Sequence, residues 1–231
     1  MQINMRPMGA DEAWKYLLRL HKNFHNGLKN FGYTYWTFIP RYESMVEMFD
    51  KPSLTDQDIE KYYNKFMKFY NVKHLQRFDE IFESWVKPKL MGAINKFLVP
   101  LLPSWNAVLP KKLDILCTYG HGAGYNRESD DVAIIYFRMS ESRDNENGVL
   151  NTFFHEFVHM LIQKPIISKY DVPQDLKERI VDLICYEFIR APKQEMFENS
   201  FANAYITPDV IKNDLPATVQ KMMIDYKAKK V

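Results

Sequence analysis

Apolar residues recur every three or four positions through most of the first hundred residues, which is the spacing of amphipathic helices. The pattern is clearest over 11–30. A second helix is expected to begin at Thr55, because Thr55 followed by Asp58 has the form of an N-terminal capping pair. Residues 1–100 are therefore predicted to form an N-terminal helical region that packs on the rest of the chain.

The pattern changes after a passage that holds three prolines. Two short apolar runs, 113–119 and 131–138, predict strands, and the glycine-rich segment 120–126 between them predicts a loop. A longer apolar run over 151–162 predicts a buried helix that Pro165 ends. The chain here changes from helices alone to strands and helices together.

Pro173 opens a further amphipathic helix that runs to Arg190. Because helices outnumber strands throughout, we predict an α+β fold that is mainly helical. The second region would span 101–231 and hold a small sheet with an edge strand beside two long helices. The regions 1–100 and 101–231 form either two units or one compact unit.

The helix over 151–162 contains the sequence His-Glu-x-x-His. Residues four apart on a helix lie on one face, so His155 and His159 can both reach one metal ion. Imidazole nitrogen is a good zinc ligand, at about 2.0–2.1 Å. Glu156 lies about 100° round the helix from His155, where its carboxylate faces a water on the metal rather than the metal itself. The motif predicts a zinc site with Glu156 as the general base.

A catalytic zinc usually has three protein ligands and one position for water. The best third candidate is Glu178, on the apolar stripe of the helix 173–190, and the same stripe holds Asp182 one turn later. Carboxylates are costly to bury unless they are paired or bind a metal. Asp182 is predicted to orient His155 through its other ring nitrogen, as carboxylates behind metal-bound histidines commonly do.

Eighteen residues separate His159 from Glu178. This spacing resembles the gluzincin metallopeptidases, a group that includes zinc aminopeptidases and, with nearly the same gap, thermolysin-like enzymes. Glu178-x-x-x-Asp182 also resembles an element of several of these enzymes. The resemblance covers about 151–190. It implies a zincin-like catalytic core, one zinc ion per chain and hydrolysis of peptide bonds.

The chain departs from these families in several places. Many of them have Asn directly before the third-ligand glutamate, where this chain has Lys177, and the Gly-x-Met-Glu-Asn motif of the aminopeptidases is missing. Pro165 stands where the metzincin class has a third histidine, which argues against that class. The resemblance therefore supports the metal site but not exopeptidase activity.

The predicted reaction needs a further donor for the oxyanion of the transition state. The candidates are one histidine and three tyrosines: His121, Tyr125, Tyr170 and Tyr205. In zincins an edge strand beside the site pairs with an extended substrate through backbone hydrogen bonds. Here that strand would be either 131–138 or the segment 120–126.

The composition excludes some classes of partner. The net charge is +2 over 231 residues, which gives no argument for nucleic acid. No apolar run reaches about 18 residues, so no transmembrane helix is expected. No signal peptide is visible, which favours the cytoplasm unless an export signal has been removed. The two cysteines, Cys117 and Cys185, are expected to be free thiols.

Three functions fit these observations. The first is a zinc peptidase that acts on a peptide or protein substrate. The second is an inert zincin-like scaffold with a binding or regulatory role, and the intact Glu156 argues against it. The third is a helical interaction protein in which the motif arose by chance, and such a protein would hold no stoichiometric zinc.

Overall fold

The computed structural model describes the chain over 1–32, 43–70, 82–118, 123–127, 129–138, 146–191 and 200–229. Within these ranges the fold is α+β and mainly helical, as the apolar pattern predicts. Four strands form one mixed sheet in the order β1-β2-β4-β3. They are β1 (Gln2–Pro7), β2 (Lys112–Thr118), β3 (Ala123–Arg127) and β4 (Val132–Arg138). The first three in the sheet order run parallel, and β3 runs antiparallel to β4.

The described part of the glycine-rich segment, 123–126, belongs to β3, which is one of the two edge strands of the sheet. β3 pairs with β4 alone in the described sheet, so β4 is an inner strand and the edge falls within the segment 120–126. The prediction of a loop is wrong for residues 123–126, because the backbone of Gly124 and its neighbours pairs with the strong strand β4. Tertiary pairing overrides the low strand propensity of glycine here.

Among the described residues up to 70, three helices follow β1: α1 (Ala10–Asn26), α2 (Glu43–Asp50) and α3 (Asp56–Phe69). The helix expected over 11–30 gives way after Gly27 to a 3₁₀ turn, Leu28–Phe31. The cap at Thr55 is confirmed. The Asp58 N–H donates to the Thr55 hydroxyl at 3.2 Å, and the Thr55 N–H donates to the Asp58 carboxylate at 3.2 Å.

Six further helices lie within the described residues from 82 onwards. They are α4 (Lys87–Ala93), α5 (Leu102–Trp105), α6 (Glu146–Ile162), α7 (Gln174–Ile189), α8 (Pro208–Asn213) and α9 (Leu215–Ala228). Wider or tighter helical turns occupy Phe82–Val86, Ile94–Leu98, Val99–Leu101, Gln163–Ser168 and Ser200–Ala204. Pro165 therefore does not end the helical path after α6. It lies in a π-helical turn, where a residue without an N–H is tolerated near the start of a new hydrogen-bonding register.

The sheet separates two apolar clusters. Successive residues of a strand point to opposite faces. Leu116 and Tyr136 pack with α1, α2 and α3, whereas Ile115 and Ile135 pack in the larger cluster that contains α6 and α7. β1, which the sequence pattern does not predict, pairs in parallel with β2 and places Ile3 in the larger cluster. The sheet thus combines β1 of the N-terminal region with three strands of the region 101–231.

None of the described helices is both long enough and apolar enough to span a lipid bilayer.

Removing the cap of α3 should lower the stability of the N-terminal layer. We expect Thr55→Ala to reduce the free energy of unfolding by about 1 kcal/mol, because the Asp58 N–H loses its acceptor. Urea unfolding followed by circular dichroism measures the change. Thr55→Ser keeps the hydroxyl and is the matched control. Equal destabilisation by the two substitutions would show that the methyl group, and not the cap, matters at this position.

Candidate metal centre

Helix α6 carries the His-Glu-x-x-His motif through the middle of the larger apolar cluster. Its neighbouring positions Phe154 and Phe157 are fully buried. The three polar side chains of the motif are buried too: His155 is 9% exposed, Glu156 8% and His159 3%. Polar groups so deeply placed must have partners to offset the cost of leaving water. α6 therefore presents a small polar patch inside an apolar core, and α7 supplies partners for its two histidines.

Three ligand atoms converge between α6 and α7. The Nε2 atoms of His155 and His159 lie 2.9 Å apart. Oε2 of Glu178 lies 3.0 Å from Nε2 of His159 and 3.5 Å from Nε2 of His155. Around a tetrahedral ion with bonds of about 2.0–2.1 Å, ligand atoms stand about 3.3 Å apart. The three atoms are thus already spaced as ligands of one metal ion, and the group is one that could hold an ion.

Asp182 lies behind His155, on the side away from the three converging atoms. The Nδ1 atom of His155 is 3.1 Å from Oδ1 of Asp182, whose side chain is only 2% exposed. The thiol of Cys185 also hydrogen-bonds His155 and has its pKa raised by burial. A carboxylate in this position fixes which ring nitrogen carries the proton, so Nε2 of His155 is left to face the cluster.

Burial and neighbouring charges set the pKa values of the cluster. Burial lowers the pKa of His159 to about 4, which keeps that imidazole in the neutral form that binds metals. Burial also opposes the charged form of His155, but hydrogen bonds to Asp182, Cys185 and Glu178 raise its pKa well above the usual value. Burial alone would raise the pKa of Glu178, yet the adjacent His159 and His155 hold it far below its usual range.

Glu156 differs from the other carboxylates of the cluster. Burial raises its pKa to about 7, the charge of His155 lowers it and the charge of Glu178 raises it further. These interactions show that Glu156 lies within electrostatic reach of the ligand atoms. A carboxyl group with a pKa near neutrality can accept and return a proton under ordinary conditions, which is the property required of a general base.

Of the four candidate donors for the oxyanion, Tyr125 is the one that the structure shows in contact with a predicted metal ligand. Its ring stacks on the imidazole of His159, with centroids 5.5 Å apart and planes 12° from parallel, and its hydroxyl donates to Oε1 of Gln163. Tyr205 instead donates to Asp225 at 2.8 Å. Tyr170 packs against the larger apolar cluster. His121 lies outside the described residues.

Two further residues of α7 lie beside Glu178, and the spacing of the motif does not predict them. Gln174 and Lys177 both lie close to Oε1 of Glu178, the oxygen that faces away from the histidines. Lys177 stands at the position where many of the gluzincin families have Asn. A lysine beside a predicted ligand is visible in the sequence, but its burial is visible only in the fold.

No family model, curated protein or solved structure matches this chain.

Replacing the third ligand should weaken metal binding. We expect the purified protein to bind about one zinc ion per chain, and Glu178→Gln to bind it much more weakly, because an amide oxygen carries no charge to offer the ion. Competition with a chromophoric chelator measures the affinity. Glu187→Gln is the matched control, since Glu187 lies on the same helix and pairs with Lys212 at 3.0 Å. An equal loss in both variants would mean that Glu178 is not a ligand.

The carboxylate behind His155 should tune the same affinity without touching the ion. Asp182→Asn keeps an oxygen that can accept from the imidazole N–H but removes the charge, and losses of about 10–100-fold in metal affinity are typical of such changes. The same chelator competition measures it, with circular dichroism to confirm the fold. An unchanged affinity would show that Asp182 does not orient His155 for binding.

Proposed function

We propose that this chain is a zinc-dependent peptidase, with a zincin-like core built from α6, α7 and the edge strand β3. The observation that carries the proposal is the convergence of two imidazole Nε2 atoms and one carboxylate oxygen within 3.5 Å of one another. Two histidines and one glutamate form a common ligand set of catalytic zinc in peptidases, and such sets leave one coordination position for water.

The charges of the cluster also favour a divalent cation. Glu156, Glu178 and Asp182 carry three negative charges when all are ionised, and Lys177 beside them carries one positive charge. Two positive charges would bring these groups to balance. Magnesium and calcium prefer oxygen ligands, whereas two imidazoles favour zinc or a similar transition metal.

When bound, zinc would supply Lewis acidity, which lowers the pKa of a water molecule from about 15.7 to about 7 and polarises a carbonyl group. The chain supplies the proton transfers. Glu156 accepts a proton from the attacking water and returns it to the nitrogen of the leaving amine. Glu156 is placed for both steps because it lies within electrostatic reach of His155 and Glu178.

The edge strand supports a peptide as the substrate. β3 is paired on one side with β4, and no other described strand pairs with its second side. An extended peptide can add to such an edge strand through backbone hydrogen bonds. Tyr125 joins this strand to the metal cluster, since its ring lies against His159. A substrate aligned on β3 would therefore run past the ligands and past Glu156.

Removing the base separates a peptidase from an inert metal-binding protein. Glu156→Gln keeps nearly the same volume but cannot take up the proton, so we expect peptide hydrolysis to fall by about 10²–10⁴-fold while zinc content stays at the wild-type level. Hydrolysis of a broad peptide pool, followed by mass spectrometry, and zinc analysis of the same sample measure both properties.

Glu187→Gln again serves as the control, with wild-type values expected for both measurements. Unchanged hydrolysis in Glu156→Gln would show that Glu156 is not the base. A wild-type protein that binds zinc and cleaves nothing in the pool would contradict the peptidase proposal and favour the inert scaffold.

A further inference from the structure

The two oxygens of the Glu178 carboxylate have different surroundings. Oε2 faces the two histidines, at 3.0 Å from Nε2 of His159 and 3.5 Å from Nε2 of His155. Oε1 faces the other way. It accepts a hydrogen bond from Nε2 of Gln174 at 2.5 Å and lies 3.5 Å from Nζ of Lys177. Oε2 is thus directed to the metal site, whereas Oε1 accepts a hydrogen bond from Gln174 and lies beside the ammonium group of Lys177.

Lys177 is buried to an extent that needs a physical reason. Its side chain is 13% exposed, the same value as that of Glu178. Lysine is rarely buried unless it is paired, because the ammonium group loses its hydration. Its two contacts at this place are Oε1 of Glu178 and the ring of Tyr125, whose centroid is 5.8 Å from Nζ. The ammonium group is therefore held at the edge of the metal centre.

The backbone of α7 fixes the relative positions of these groups. Gln174 and Glu178 are four residues apart, so their side chains lie one above the other on the helix. Lys177 precedes Glu178 directly and belongs to the same first turns, which follow Pro173 at the start of the helix. The arrangement is built on a rigid element and not on a loop.

We propose that Gln174 and Lys177 act as a clamp that makes Glu178 a one-oxygen ligand. A carboxylate can bind a metal ion through one oxygen or through both. The hydrogen bond from Gln174 and the positive charge of Lys177 compete with the ion for Oε1, so only Oε2 is offered to it. The second oxygen then takes no coordination position, and the fourth position of the site stays open to water. This inference deepens the proposed function and rests on its metal site, but not on the peptidase activity.

Both residues of the clamp are positioning residues, since they act through Glu178. The test uses Gln174→Leu, Lys177→Met and the double variant, each loaded with Co²⁺ in place of zinc. Four-coordinate Co²⁺ absorbs visible light more strongly than five- or six-coordinate Co²⁺, so the absorption reports the number of ligands. We expect strong absorption in the wild type and a clear fall in the double variant, where Glu178 is free to bind through both oxygens.

Zinc affinity, measured by chelator competition, should fall by about 10–100-fold in the double variant, as is typical when partners of a ligand are lost. Lys177→Arg keeps a cationic donor for Oε1 and should preserve the wild-type absorption. Lys212→Met is the matched control, because it removes a lysine that pairs with Glu187 of the same helix. Circular dichroism of the metal-free proteins tests whether each variant folds. If the Lys177 variants do not fold, Gln174→Leu alone is used for the test.

A wild-type Co²⁺ absorption in the folded double variant would overturn the clamp, even with a lower zinc affinity, because the pair would then only support the helix. In Gln174→Leu alone, an unchanged absorption and an unchanged zinc affinity would overturn the part assigned to Gln174. Peptide hydrolysis by the wild type is scored separately. A wild type that binds Co²⁺ in four-coordinate form but cleaves no peptide would refute the peptidase and leave the clamp standing.

Discussion

The burial of polar side chains in an apolar core is the constraint on which the rest of this structure depends. α6 is enclosed by apolar residues, yet it brings two imidazoles and a carboxylate into that core. Each must be paired or bound to a metal, because an unpartnered polar group in such a place costs several kcal/mol. Glu178 and Asp182 of α7 pair with the two histidines. The packing of α6 against α7 therefore depends on their polar residues as much as on their apolar ones.

The two histidines are held in different ways. Asp182 accepts from His155 and fixes the state of its ring. His159 has no such carboxylate, and its Nδ1 atom is buried without a hydrogen-bond partner among the described residues. Its ring is oriented by stacking on Tyr125 instead. The pKa values of His155 and Glu156 are both raised in this cluster, and metal binding to the converging ligand atoms would favour the deprotonated forms of both groups.

The sequence predicts the parts of the site that depend on local spacing. Positions 155, 159 and 178 follow from helical periodicity, and Asp182 follows from its place on the apolar stripe of α7. β1 and β3 could not be predicted in this way, because each is a strand only through its pairing with a neighbour. Lys177 was visible as a departure from the resembled families, but its contact with Oε1 depends on the packing of α7 against α6 and β3.

The register between β3 and β4 joins the edge of the sheet to the metal centre. Tyr125 is directly opposite Ile135, and opposed residues of an antiparallel pair point to the same face. Ile135 belongs to the apolar cluster of α6, so Tyr125 points towards His159. A shift of one residue would turn Tyr125 to the other face of the sheet, where Tyr16 and Tyr136 stack at 4.4 Å. Gly124 lies on that other face, opposite Tyr136. The aromatic side chain of β3 therefore lies only on the face that carries the metal cluster.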